Sequence, residues 1–274
     1  VGAAGSQPDY ELGKEPKPLD AHGRARTASL FGSHPLLRTR HSNHSVGLTL
    51  ENRRFDDHVG AFGLVSEKHA QVAVVSIYGD HSDRVGGGGY NSYLLSLTAG
   101  DLDIRTPSVR ATDATTANTQ GRYGKLGFQA ARVQQLTAST SLMGSIHGQL
   151  ASTNLDSSEK MQLGGMYGVR AFPEGEAAAD QGAVLTLEAR QLLPLSHQVP
   201  GQVQLVAFVD TGSVTLNKNP WSAGPNRRHL SGAGVGLYWT RANDFSVKAF
   251  YARPLGSGEA TSAPDTSGRF WVQA

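Results

Sequence analysis

The sequence predicts an all-β fold, a transmembrane antiparallel β-barrel, from three observations. Alternation of apolar and polar residues recurs from one end of the chain to the other, whereas amphipathic helical spacing is hard to find. The alternating segments run to about ten residues and are separated by short turns and long polar connections, the repeated signature of strands that cross a membrane at a tilt. With 38% apolar and 18% charged residues, no stretch reaches the roughly eighteen consecutive apolar residues of a spanning helix, so any crossing must be made with strands. Alternation alone suits a soluble antiparallel sandwich or barrel equally well, and the choice rests on more specific motifs.

Taken in order, residues 1–22 read as a polar connection, followed by strands at about 24–35, 43–55, 69–81, 91–103, 122–136, 138–152 and 158–165. From Ala183 the alternation is plain: Leu185, Leu187 and Ala189 oppose Thr186, Glu188 and Arg190, because successive strand side chains point to opposite faces. In 202–212, Val203, Leu205, Ala207 and Val209 share one face, and Gln202, Gln204, Val206, Phe208 and Asp210 the other. Val235, Leu237 and Trp239 oppose Gly234, Gly236 and Tyr238. After a turn at 241–244, Phe245, Val247, Ala249 and Tyr251 oppose Ser246, Lys248, Phe250 and Ala252. A last strand near 267–274 makes about twelve. Trp239, Phe245, Tyr251 and Phe270 lie where an interfacial aromatic girdle is expected. The connections at 1–22, 82–90, 104–121, 166–182, 213–228 and 255–266 are flanked directly by strands, so 1–274 is read as one domain.

Composition removes several function classes. The absence of cysteine excludes disulfides, a thiolate nucleophile and Cys-ligated metal. A net charge of +2 with scattered Lys and Arg speaks against nucleic acid as a partner. Gly86 to Gly89 lacks the Lys-Ser/Thr of a phosphate loop, and Gly232, Gly234 and Gly236 lie inside a strand pattern. His41 and His44 lack further ligands at metal spacing. Ser141, Ser145 and His147 have no nucleophile-elbow context. The expectation is therefore no enzyme and no cofactor. The start at Val1 and the end inside an apparent strand at 269–274 read as a piece of a longer chain.

Two motifs carry the specific signal. Leu163-Gly164-Gly165 is followed by Val169-Arg170-Ala171-Phe172, and about forty residues later come Phe208-Val209-Asp210-Thr211-Gly212. Arg170 and Asp210 suit each other as a planar, permanently charged fork and a carboxylate that it can grip with two parallel hydrogen bonds. Glu188 and Arg190 face the same side one strand away and could join the network. Without motif context, a solvated loop arginine and a strand-end carboxylate are the plainer reading.

The two strings at this separation resemble the signature of the polypeptide-transporting outer-membrane superfamily. Within it the chain is similar to the two-partner-secretion transporters, the haemolysin secretion/activation family; Gly100-Asp101-Leu102-Asp103-Ile104, the strand from Ser231 to Leu237 and the closing Ser267 to Trp271 add to the likeness. The resemblance implies a monomeric sixteen-stranded barrel in the outer membrane of a Gram-negative bacterium, held among outer-membrane lipids. It implies export of a large exoprotein, unfolded in transit and of haemolysin, adhesin or haem-binding type, without nucleotide hydrolysis. It implies that 166–182 is a loop folded into the lumen, with Val169, Arg170, Ala171 and Phe172 at its tip facing Phe208, Asp210 and Gly212 on the wall. It also implies that the periplasmic polypeptide-transport-associated modules, about four strands and the end of the last strand lie outside 1–274. The family usually carries Gly where this chain has Ala171; were that position left-handed, Ala would cost roughly 1 kcal/mol. An assembly insertase of the same superfamily and a diffusion porin are the competing functions.

Overall fold

The computed structural model describes residues 1–11, 21–59, 64–195, 199–256 and 258–274. Among the described residues thirteen strands form one antiparallel sheet: β1 (Gly2–Ser6), β2 (Asp9–Glu11), β3 (Ala21–Arg38), β4 (Ser42–Val59), β5 (Leu64–Asp83), β6 (Gly89–Ile104), β7 (Gly121–Gln135), β8 (Thr140–Ala151), β9 (Gln181–Leu192), β10 (Gln202–Thr215), β11 (Arg227–Arg241), β12 (Phe245–Leu255) and β13 (Arg269–Gln273). From β3 to β13 each strand pairs with the next, and both β1 and β2 pair with β3.

The period-2 pattern explains which way each strand faces. Along β10, Leu205 and Val209 are exposed while Val206, Phe208 and Asp210 are buried. Register carries this division across the sheet: Val209 lies opposite Leu187, Leu187 opposite Gly144, and Ala207 opposite Val235. The result is a continuous outer band of exposed Leu48, Leu50, Val75, Leu97, Leu150, Leu187, Leu205 and Val235. So large an apolar surface belongs against lipid rather than water. The buried apolar side chains lie on the other, inner face.

What covers that inner face is the connection between β8 and β9, residues 152–180. Its Leu163, Val169, Ala171, Phe172 and Ala179 pack against Val184, Val206, Phe208, Leu230, Phe250 and Ala252 of β9–β12, and its Leu155 packs against Ala70, Val72, Leu102, Ile104 and Tyr123 of β5–β7. Each large apolar side chain withdrawn from water here contributes roughly 1.5–3 kcal/mol, so the connection is held by a core of its own.

Several sequence expectations are corrected. Residues 158–165 are not a strand: Ser157–Glu159 is a single 3-10 turn, and the rest makes only the isolated bridges Met161–Ala179 and Gly164–Val169. Their alternation arises because Leu163 packs inward against Val184 and Phe172, not outward against lipid. Part of 1–22 is not a connection, since β1 and β2 lie along β3; residues 12–20 lie outside the described residues. The connection 104–121 contains a helix, α1 (Pro107–Thr115), opened by Pro107 at its first turn and burying no residue. A short polar helix of this kind carries no apolar stripe for periodicity to detect. Finally, β3, β4 and β5 run to 18, 18 and 20 residues, well beyond the apolar band, where Arg24, Asp56 and Glu67 continue the ladder with polar side chains.

Candidate functional site

The inner face of β9–β12 places a charged network under the 152–180 connection. Register puts Glu188 opposite Phe208 and Thr186 opposite Asp210, with both carboxylates on the covered face. Within the connection, backbone hydrogen bonds from Val169 to the Leu163 carbonyl (2.8 Å) and from Phe172 to the Val169 carbonyl (3.0 Å) fold 163–172 into a tight turn. Arg170 projects from that turn toward the wall.

Arg170 is 4% exposed, Glu188 4% and Asp210 0%, so nearly all their hydrogen bonding must come from protein. Arg170 Nε donates to Asp210 Oδ2 at 2.9 Å and Nη2 to Oδ1 at 2.8 Å, the two-pronged geometry that fixes orientation as well as position. The Arg170 backbone N–H adds a third donor to Asp210 Oδ2 (3.1 Å), and Thr186 Oγ1 a fourth to Oδ1 (2.9 Å). The remaining prong, Nη1, donates to Glu188 Oε1 at 2.8 Å. Glu188 Oε2 accepts from Arg190 Nη2 at 2.7 Å and from the Tyr238 hydroxyl at 3.2 Å. Two cations and two carboxylates thus balance, the condition under which a buried ionic cluster is tolerable.

Aromatic rings finish the enclosure. The Arg170 guanidinium carbon stands 3.4 Å from the centroid of the Phe208 ring and 4.9 Å from that of Phe250, and the two rings meet edge to face at 5.7 Å. Such stacking adds attraction and keeps water from the ion pair. Trp271 Nε1 on β13 donates to the Arg170 carbonyl at 2.7 Å, tying the turn to the last strand as well.

All nine residues singled out from sequence fall in one region. Val169 and Phe172 are buried beside the network, and the Leu163 side chain packs over Gly212. Ala171 has an ordinary negative φ, being absent from the left-handed residues, so Ala carries no backbone strain here. Its methyl is accommodated from the opposite side: a Cβ on Gly232 of β11 would lie 2.5 Å from the Ala171 Cβ. Tyr238, Phe250 and Trp271 are contributors that the motifs do not mark. Tyr238 and Phe250 share inward parity with Asp210, and Trp271 pairs with Phe250 between the exposed Phe270 and Val272, so parity is a usable signal for all three.

A second buried carboxylate holds the far side of the turn. Glu176, 0% exposed, accepts from Arg228 Nη2 at 2.6 Å, from the Thr261 hydroxyl at 2.7 Å and from the Thr261 and Ser262 backbone N–H groups at 2.8 and 2.9 Å. Burial alone would push this carboxyl up, but the Thr261 and Ser262 donors outweigh it and hold it below its ordinary value. Among the described residues no group of three His, Asp or Glu is arranged to hold a metal ion.

Comparison with known proteins agrees with this architecture. The family model for the haemolysin secretion/activation protein ShlB/FhaC/HecB matches residues 2–239. The heme/hemopexin transporter protein HuxB of Haemophilus influenzae is 26% identical over 249 residues, covering 90% of this chain and 43% of its own length. The outer membrane transporter CdiB of Dickeya dadantii is 29% identical over 184 residues, 64% of this chain and 30% of its own. This chain therefore spans less than half the length of the curated relatives it matches. Among solved structures, CdiB from Escherichia coli superposes with a TM-score of 0.78 at 20% identity, over 98% of this chain and 49% of its own. BamA from Haemophilus ducreyi superposes with 0.53 at 12% identity, over 98% and 66%; both likenesses concern the fold. The chain is an outer-membrane β-barrel protein of a Gram-negative bacterium, and it belongs to the ShlB/FhaC/HecB haemolysin secretion/activation family.

Proposed function

We propose that this chain forms the translocating wall of a two-partner-secretion transporter, through which a large exoprotein passes unfolded to the cell surface. The observation that carries the reading is the Arg170–Asp210–Glu188 network: a connection of almost thirty residues (152–180) is fastened by a buried fork onto the inner face of the sheet. A diffusion porin keeps a water-filled path open through its lumen, whereas a path wide enough for an extended polypeptide must be blocked when idle, as a latched connection across the inner face does. In this reading residues 152–180 are the lumenal loop, Arg170 its latch and Asp210 the catch. Folding of the exoprotein outside supplies the drive without nucleotide hydrolysis, and the barrel works as a monomer surrounded by outer-membrane lipids. A heme/hemopexin transporter among the relatives supports a haem-binding exoprotein as one candidate cargo, beside haemolysins and adhesins.

The test is secretion of the neighbouring large exoprotein into the medium by cells carrying the full-length parent, no parent, or its Arg170→Ala variant. Export predicts loss in the deletion strain and a marked reduction in the variant. Undiminished secretion in the deletion strain rejects the reading.

A further inference from the structure

The 152–180 connection meets the sheet at a second charged cluster, on β4, β5 and β7, and its polarity is reversed. At the Arg170 site the connection supplies the cation and the wall the carboxylates. Here the connection supplies two carboxylates, Asp156 and Glu159, and the wall three cations, Arg53, Lys68 and Lys125, of which Arg53 also pairs with Glu51 on β4.

Glu159 is 5% exposed. Its carboxylate accepts from Arg53 Nη1 of β4 (2.5 Å), Lys125 Nζ of β7 (2.5 Å) and the Tyr123 hydroxyl (2.8 Å). Its carbonyl accepts from Gln149 Nε2 of β8 at 3.1 Å. One turn earlier, Asp156 Oδ2 accepts from Lys68 Nζ of β5 at 2.7 Å, with side chains only 10% and 16% exposed. Leu155, next to Asp156 in the chain, is buried against Leu102, Ile104 and Tyr123. Neither carboxylate belongs to the motifs that mark the Arg170 site, and the two clusters share no residue.

We infer that Asp156 and Glu159 form a second anchor, independent of Arg170, which pins the connection to β4–β7 while Arg170 pins it to β9–β10. This rests on the transport reading in taking the connection as what closes the path. Two anchors of opposite polarity on separated parts of the wall seat the connection in one orientation only: sliding it along the wall, or reversing it, sets carboxylate against carboxylate and cation against cation. Release of one anchor leaves the connection tethered by the other and by the Glu176–Arg228 contact to β11, so full clearance of the path requires all three to open.

The test uses the full-length parent in planar bilayers, comparing time spent in large-conductance states, with heat-modifiable migration on gels confirming a folded barrel. Glu159→Gln raises the open fraction about tenfold, the scale expected for a partly screened buried pair, and combining it with Arg170→Ala multiplies the two effects, as independent sites require. Lys68→Asp and Asp156→Lys each raise the open fraction, and the double exchange brings it back toward the parent, a rescue that a merely destabilised barrel does not show. Conductance of Glu159→Gln, Lys68→Asp and Asp156→Lys all matching the parent overturns the inference, as does a double exchange no better than the single ones. Failure of the transport reading is seen separately, as exoprotein secretion that persists without the parent.

Discussion

Replacing Arg170 with alanine in the full-length parent removes one positive charge from a neutral cluster of four. Asp210 loses the donors at 2.9 and 2.8 Å and keeps only the backbone N–H of residue 170 and Thr186. Glu188 loses one donor but retains Arg190 and Tyr238. The uncompensated charge therefore falls on Asp210, which has no access to water while the connection stays in place. Stranding a buried charge costs about 3–5 kcal/mol, and the lost stacking on Phe208 up to about 2 kcal/mol, though the two overlap. A total near 4 kcal/mol changes the ratio of seated to unseated connection by about a thousandfold. Arg170→Lys keeps the charge without the fork and loses about half of this. Arg190 and Glu188 both lie on β9, so Arg190→Ala removes no contact between the connection and the wall and leaves Glu188 its donors from Arg170 and Tyr238; its effect on seating is the smallest of the three. The open fraction in planar bilayers should rank Arg170→Ala, then Arg170→Lys, then Arg190→Ala near the parent. If Arg170→Ala and Arg190→Ala are indistinguishable, the latch argument is wrong.

Gly232→Ala places a methyl against Ala171 and should lower the thermal stability of the detergent-solubilised barrel by about 1–3 kcal/mol; adding Ala171→Gly should recover much of it, and no recovery would contradict the contact. Trp271→Phe keeps the ring but leaves the Arg170 carbonyl without its donor, costing about 1–2 kcal/mol of seating, read as a rise in open fraction smaller than that of Arg170→Ala. Ala177 sits at φ 52°, so Ala177→Gly should stabilise the seated connection by roughly 1 kcal/mol, seen as fewer openings. Glu176 is held below its ordinary value of 4.5 when folded. Its contribution is therefore complete above about pH 4.5 and lost as pH falls through the lower folded value. Openings should increase on acidification below that range, and Glu176→Gln should weaken this pH dependence, leaving the part due to Asp156, which burial would push up but Lys68 holds below its ordinary value.

The strands are legible in sequence wherever one face meets lipid, because only there does a strict apolar alternation mark them. That is why β9 to β12 emerge within a few residues, while the outer parts of β3 to β5, polar on both faces, do not. The same rule misleads at 158–165, where alternation reflects packing inside the connection. At the site, Arg170 and Asp210 can be picked out because they stand in two linked motifs and suit each other as fork and carboxylate, and Glu188 and Arg190 follow from their parity one strand away. Tyr238, Phe250 and Trp271 share that inward parity, yet they reach Arg170 only because β10 to β13 pair in this register. Glu159 depends on where the connection lies across the sheet, which no local pattern encodes.

Ser145 and Ile146 are neighbours on β8 that point to opposite faces, Ile146 outward among the exposed apolar residues. A photo-crosslinking amino acid at each position of the full-length parent, activated while the exoprotein is being secreted, tests export through this barrel most directly. Passage along the inner face predicts adducts with the exoprotein from position 145 and none from 146. Secretion that proceeds with no adduct at 145, or with equal adducts at both, would contradict it.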